Sequence, residues 1–173
     1  KETAQLAIQA ALTGHLVFST IHTNNAIGVI PRLIDMGVDP YLIAPTLVLT
    51  MAQRLVRKLA PGGGKPLAVE DSIKLMIDKQ FEDLPAEFKS KIPFGKEVYE
   101  ISPTPEFLNG IAGRTAVSEV IEMDKQLEAV ILNGATEPDV YKVVRAKGML
   151  TMKEDAIVKA MQKVIPFEEI NTL

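Results

Sequence analysis

Cysteine is absent from the 173-residue chain, which excludes disulfides and thiolate metal sites from the outset. Also missing is the Gly-x-x-x-x-Gly-Lys-Ser/Thr loop that cradles nucleotide phosphates. Gly62-Gly63-Gly64-Lys65 has neither the spacing nor a following hydroxyl residue. Long apolar runs are lacking: the best candidate, Tyr41 to Ala52, contains Pro45 and Thr46 and falls short of the roughly 20 residues a membrane helix needs. The opening residues read as an amphipathic helix and not as a signal peptide. Charge of one sign is scarce too, because 19 basic against 22 acidic residues leave a net of −3, no electrostatic footprint for nucleic acid. What remains is 47% hydrophobic and 24% charged, enough for a buried core in one domain or one domain with an appendage.

Chemistry concentrates in Thr13-Gly14-His15-Leu16-Val17-Phe18-Ser19-Thr20-Ile21-His22-Thr23-Asn24-Asn25, where an apolar run ends in hydrogen-bonding side chains. Leu16 to Ile21 reads as a buried parallel strand, and open α/β sheets bind ligands beyond the carboxyl ends of such strands. His22, Thr23 and Asn24 fall at that end. A neutral imidazole donates from one nitrogen and accepts on the other, so His22 either senses a phosphate or water there or satisfies buried backbone groups.

Elsewhere the pattern alternates helices and strands. Ala4, Ile8, Ala11 and Leu12 mark a helix closed by Gly14. Asn24 or Asn25 caps a helix toward Met36, where Pro31 demands a kink or a short first helix. Pro40 opens a helix from Tyr41 to about Ala52, and Gln53 to Leu59 alternates as a strand. Pro61 to Pro66 is a linker by composition, followed by helices over 70–78 and 85–92 and strands over 98–101 and 113–121. The tail reads as helices over 124–132, 137–147, 153–164 and 166–170, with Thr136-Glu137-Pro138-Asp139 as a start signal.

The segment from Glu2 to Asn24 resembles the histidine box of the secretion-superfamily ATPases, the hexameric motors of type II secretion and type IV pilus assembly. Arg32 to Val38, Ala52 to Leu59, Gly113 to Val120 and Gly148 to Ala156 resemble further segments of that family, in the family's order. The resemblance implies an α/β fold: the C-terminal part of a RecA-like P-loop NTPase domain, a partial and mainly parallel sheet with flanking helices, plus a C-terminal helical subdomain. It divides the chain into a core segment with the histidine box over 1–60, a helical insert over 61–110, a strand segment returning to the core over 111–123 and the helical subdomain over 124–173. In relatives the insert's place often holds a small zinc module with two cysteine pairs; without cysteines, no zinc is expected and apolar packing holds the insert.

The same resemblance places the phosphate loop and acidic motifs upstream, so the chain reads as a C-terminal piece of a longer motor, inactive alone. ATP and magnesium are implied for the intact enzyme only. Implied partners are a homo-hexamer and the inner-membrane platform protein of a secretion or pilus machine, with no nucleic acid. The implied location is cytoplasmic, peripheral at the inner membrane. Alternatives are a pilus-retraction ATPase, disfavoured by the insert, and a non-catalytic interaction or scaffold module.

By resemblance, His22 is the catalytic histidine near the γ-phosphate. Thr20, Thr23 and Asn24 join it as nucleotide-binding candidates that fix its tautomer and cap the next helix. Gln53 and Arg54 are weaker candidates, since a basic strand also pairs with structural neighbours. His15 lies at the wrong end of the run and is expected to cap or pack. Arg114 and Glu119 are read as a solvated or paired edge.

Overall fold

The computed structural model describes residues 2–134 and 136–173. Two compact units share the chain: residues 1–52 with 120–149, and residues 53–119 with 150–173.

The first unit is built mainly of helices. Helix α1 (Glu2–Leu12) buries Ile8 and stops where Gly14, at φ +92°, turns the backbone back. His15 closes that end: its amide donates to Ala10 O at 3.1 Å, and its Nδ1 lies 3.2 Å from the same carbonyl and 3.1 Å from Thr13 Oγ1. Capping was the expected duty.

The strand expected over Leu16 to Ile21 is not formed among the described residues. Leu16 is 77% and Phe18 89% exposed, and the segment carries no regular secondary structure. A parallel ladder exists only where neighbouring strands supply partners for each N–H and C=O, and apolar composition alone supplies none.

Helix α2 (Val29–Asp35) starts late enough that Pro31 falls in its first turn, where its missing N–H costs nothing and no kink is needed. Gly37, at φ +81°, ends it in a Schellman pair, Gly37 N to Ile34 O and Val38 N to Leu33 O. Helix α3 (Pro40–Thr46) is capped by Asp39, whose carboxylate accepts from Tyr41 N at 2.9 Å. It ends well before Ala52, because strand β1 (Leu49–Leu59) begins there instead. Helices α6 (Lys125–Leu132) and α7 (Glu137–Ala146) complete the unit, one capped by Asp124, the other by a Thr136–Asp139 capping box. Their apolar faces bury Leu127, Ile131, Val140 and Val144 against Ala26, Ile30 and Ile43. Each such side chain contributes about 1.5–3 kcal/mol by leaving water.

The second unit mixes short strands and helices. Strand β2 (Lys65–Ala68) pairs antiparallel with β3 (Glu97–Glu100), in register Lys65 to Glu100 through Ala68 to Glu97. β1 pairs with β4 (Ile111–Glu122) in a second two-stranded sheet. Both sheets are antiparallel, so the described residues show the α/β character but not the mainly parallel sheet expected. Between β2 and β3 lie α4 (Asp71–Gln80) and the single turn α5 (Ala86–Lys89). Ile77, Phe81, Leu84 and Val98 from this stretch join Val117 of β4 and Ala156, Ile157 and Ala160 of α8 (Met152–Met161) in one core. A 3-10 turn over Phe167–Thr172 seals it with Ile170. Gly110 is required by space: a Cβ there would meet Ser102 O at 2.7 Å. Two further contacts tie α8 to β4, Ser118 N donating to Asp155 at 2.8 Å and Lys159 Nζ to Ala116 O at 2.9 Å. Of the solvated or paired edge expected at Arg114 and Glu119, Arg114 is exposed, while Glu119 is 3% exposed with its polar atoms satisfied.

Candidate functional site

Beyond the extended residues, the first unit tightens into a turn between His22 and α2. Thr23 Oγ1 donates to Asn25 O at 2.9 Å, and Asn25 Oδ1 accepts from Gly28 N at 2.7 Å, so both side chains hold the turn in one shape. From beneath, buried Thr50 donates to Ala26 O at 3.1 Å. Ala26 and Ile30 are 0% exposed, so the turn stands on the core. His22 is the last residue before this fixed segment, and its ring is exposed.

An open cavity of about 240 Å³ lies over the turn. His22, Thr23 and Asn24 line it together, as the sequence grouped them. Asn25, Arg32, Asp35 and Glu137 line it as well, and none of these four was singled out as a site residue from sequence. A local signal existed for two of them. Gly28, Arg32 and Asp35 follow one another at helical spacing, which puts both charges on the α2 face above the turn. Glu137 had no such signal: it arrives from the start of α7.

The remaining candidates lie elsewhere. Thr20 is exposed in the extended segment and does not line the cavity. Gln53 and Arg54 are exposed on β1 in the second unit and do not line it either.

Besides the imidazole, the cavity's charged side chains are one guanidinium and two carboxylates. It offers amide and hydroxyl groups, a fork of N–H donors at Arg32, and an imidazole able to donate or accept. That set suits hydrogen bonding to a phosphoryl oxygen or to a water beside it. It does not make a metal centre, because among the described residues no three His, Asp or Glu side chains are placed to hold an ion.

The type II/IV secretion system protein family model matches residues 1–172. Type II secretion system ATPase E of Vibrio cholerae is 36% identical over 170 residues, covering 98% of this chain and 31% of that protein. Type II secretion system protein E of Xanthomonas campestris is 38% identical, with 98% and 28% covered. The type IV pilus assembly ATPase PilB of Thermus thermophilus is 33% identical, with 98% and 18% covered. In fold, the chain is similar to the Legionella pneumophila ATPase DotB, at a TM-score of 0.60 and 22% identity, over 99% of this chain and 35% of that one. It thus spans about a third or less of the length of these relatives. On the match along nearly its whole length, the chain belongs to the type II/IV secretion system protein family.

Proposed function

We propose that the chain is the C-terminal part of a hexameric motor ATPase that powers type II secretion or type IV pilus assembly, with the His22 cavity facing the nucleotide's terminal phosphate. One observation carries this: His22, Thr23 and Asn24 open into a single cavity over a turn that Asn25 and Thr50 hold rigid. Relatives named as type II secretion and pilus assembly ATPases supply the reaction class. In this reading the exposed, unpaired run Leu16 to Ile21 becomes a strand of a RecA-like sheet within the longer protein, which would cover Leu16 and Phe18.

His22 would then hydrogen-bond a phosphoryl oxygen or the attacking water and report whether the terminal phosphate is present. Thr23 and Asn25 keep the imidazole's loop fixed, so a change at the phosphate reaches α2 as movement of a rigid piece. Thr20 and Asn24 keep supporting roles. Gln53 and Arg54 are retained as phosphate-facing candidates of the assembled ring. Magnesium would be held by groups outside this chain, since the described residues build no site for it, and no step here passes through it. The ring would work at the inner membrane through a platform partner from the cytoplasmic side. No helix of the described residues is long and apolar enough to cross a membrane.

The reading separates the chain from the whole protein. Without a phosphate loop, the 173-residue chain alone is expected to show negligible binding of magnesium-ATP by calorimetry. Tight binding by the isolated chain would contradict it.

A further inference from the structure

Gly28 poses a question that its backbone does not answer. Its φ of −65° and ψ of −9° suit any residue. Space explains the glycine better. A Cβ there would lie 3.0 Å from Glu137 Oε1 and 3.1 Å from Asn25 Oδ1. The Asn25 oxygen is already committed to Gly28 N at 2.7 Å, so it cannot retreat without giving up that bond. The missing side chain therefore lets the Glu137 carboxylate come down onto the turn that follows His22. Glu137 forms no ion pair or hydrogen bond among the described residues, although it begins α7 in the family of capping interactions made by Thr136 and Asp139. The carboxylate is thus brought to the cavity without being used up in closing the helix.

We propose that Glu137 is a resident carboxylate of the His22 cavity, a specificity residue that holds free anions off the imidazole. It shares the cavity with Arg32 and Asp35 of α2 and with the amides of Asn24 and Asn25. Two carboxylates against one guanidinium leave the empty cavity unattractive to a lone phosphate. Glu137 and Asp35 repel an incoming phosphate that approaches Arg32 and His22 across the cavity. The selected ligand class is therefore a phosphoryl group delivered on a larger, independently anchored molecule, and free inorganic phosphate is disfavoured. This inference rests on the assignment of the cavity to a phosphate.

The test is titration of the 173-residue chain with inorganic phosphate near neutral pH, following the His22 ring resonances by NMR. Removing a unit charge about 4 Å away in water is worth about fivefold in affinity. Glu137→Gln should tighten the phosphate dissociation constant by about that factor. Glu137→Asp, which keeps the charge, should behave as the native chain, and Glu137→Lys should tighten phosphate further, giving a second reading if the first variant folds poorly. Equal phosphate affinity in the native chain and the Gln and Lys variants overturns the role of Glu137 while leaving the cavity's assignment intact. No response of His22 to phosphate in any variant overturns both.

Discussion

The Glu169 carboxylate accepts from both ends of Arg57: from its backbone amide at 2.8 Å and from its guanidinium Nε at 2.5 Å. Glu169 is nearly buried, its side chain 6% exposed, while that of Arg57 is 50% exposed. The pair joins the terminal 3-10 turn to β1 within the second unit. One carboxylate serves two donors, so losing it leaves both the Arg57 amide and guanidinium without that acceptor. Glu169→Ala should destabilise the chain by about 1.5–3 kcal/mol in urea unfolding, the range for hydrogen bonds to a charged group. Arg57→Lys alone should cost less than that, since its backbone amide still donates to Glu169. A loss in Glu169→Ala below a few tenths would show that the contact is incidental.

Phe81 tests whether the stretch between β2 and β3 and the α8 helix really share one core. It is 0% exposed and packs edge-on to Phe94 at 5.1 Å. Phe81→Ala should cost about 3–5 kcal/mol. Leu75, on helix α4 whose C-cap is Phe81 but 71% exposed, should cost less than about 0.5 kcal/mol when changed to Ala. Equal effects of the two substitutions in thermal melts would contradict the shared core.

Metal removal provides a related check. If apolar packing around Phe81, Val98 and Ile157 holds this unit, excess chelator should leave its melting temperature unchanged. A drop on chelation would reveal a structural ion.

Acid should weaken the first unit through Asp124. A hydrogen bond from Lys147, then the bond from the Leu127 amide, holds its carboxyl below the ordinary aspartate value. A depressed folded value means that the stabilisation is present above the unfolded aspartate pKa of about 3.9 and is lost as the pH falls through the lower folded value. Lys147→Ala should raise the Asp124 midpoint toward the ordinary value, read by NMR titration of the carboxyl carbon. An unmoved midpoint would remove Lys147 as the cause.

Capped helices were legible from sequence because their signals are local. Asp124 before an apolar period, and Thr136-Glu137-Pro138-Asp139, each name a start that the structure shows. Pairing is not local, and there the reading failed in both directions. Leu16 to Ile21 has strand composition without described partners, while Lys65 and Pro66, read as the end of a linker, open the strand Lys65 to Ala68 that pairs with Glu97 to Glu100. Tyr41 to Ala52 is apolar nearly throughout, so periodicity could not show that the helix ends at Thr46 and a strand begins at Leu49. The candidate site divides the same way. His22, Thr23 and Asn24 are consecutive and readable, Arg32 and Asp35 only through helical spacing, and Glu137 only through the tertiary fold.

The proposal that His22 faces a nucleotide phosphate is tested most directly by the steady-state ATP turnover of His22→Ala in the longer motor proposed above. A hydrogen bond to a charged group is worth about 1.5–3 kcal/mol, so a contact formed in the transition state predicts a fall of roughly ten- to a hundred-fold. Turnover equal to that of the unsubstituted protein would contradict the account.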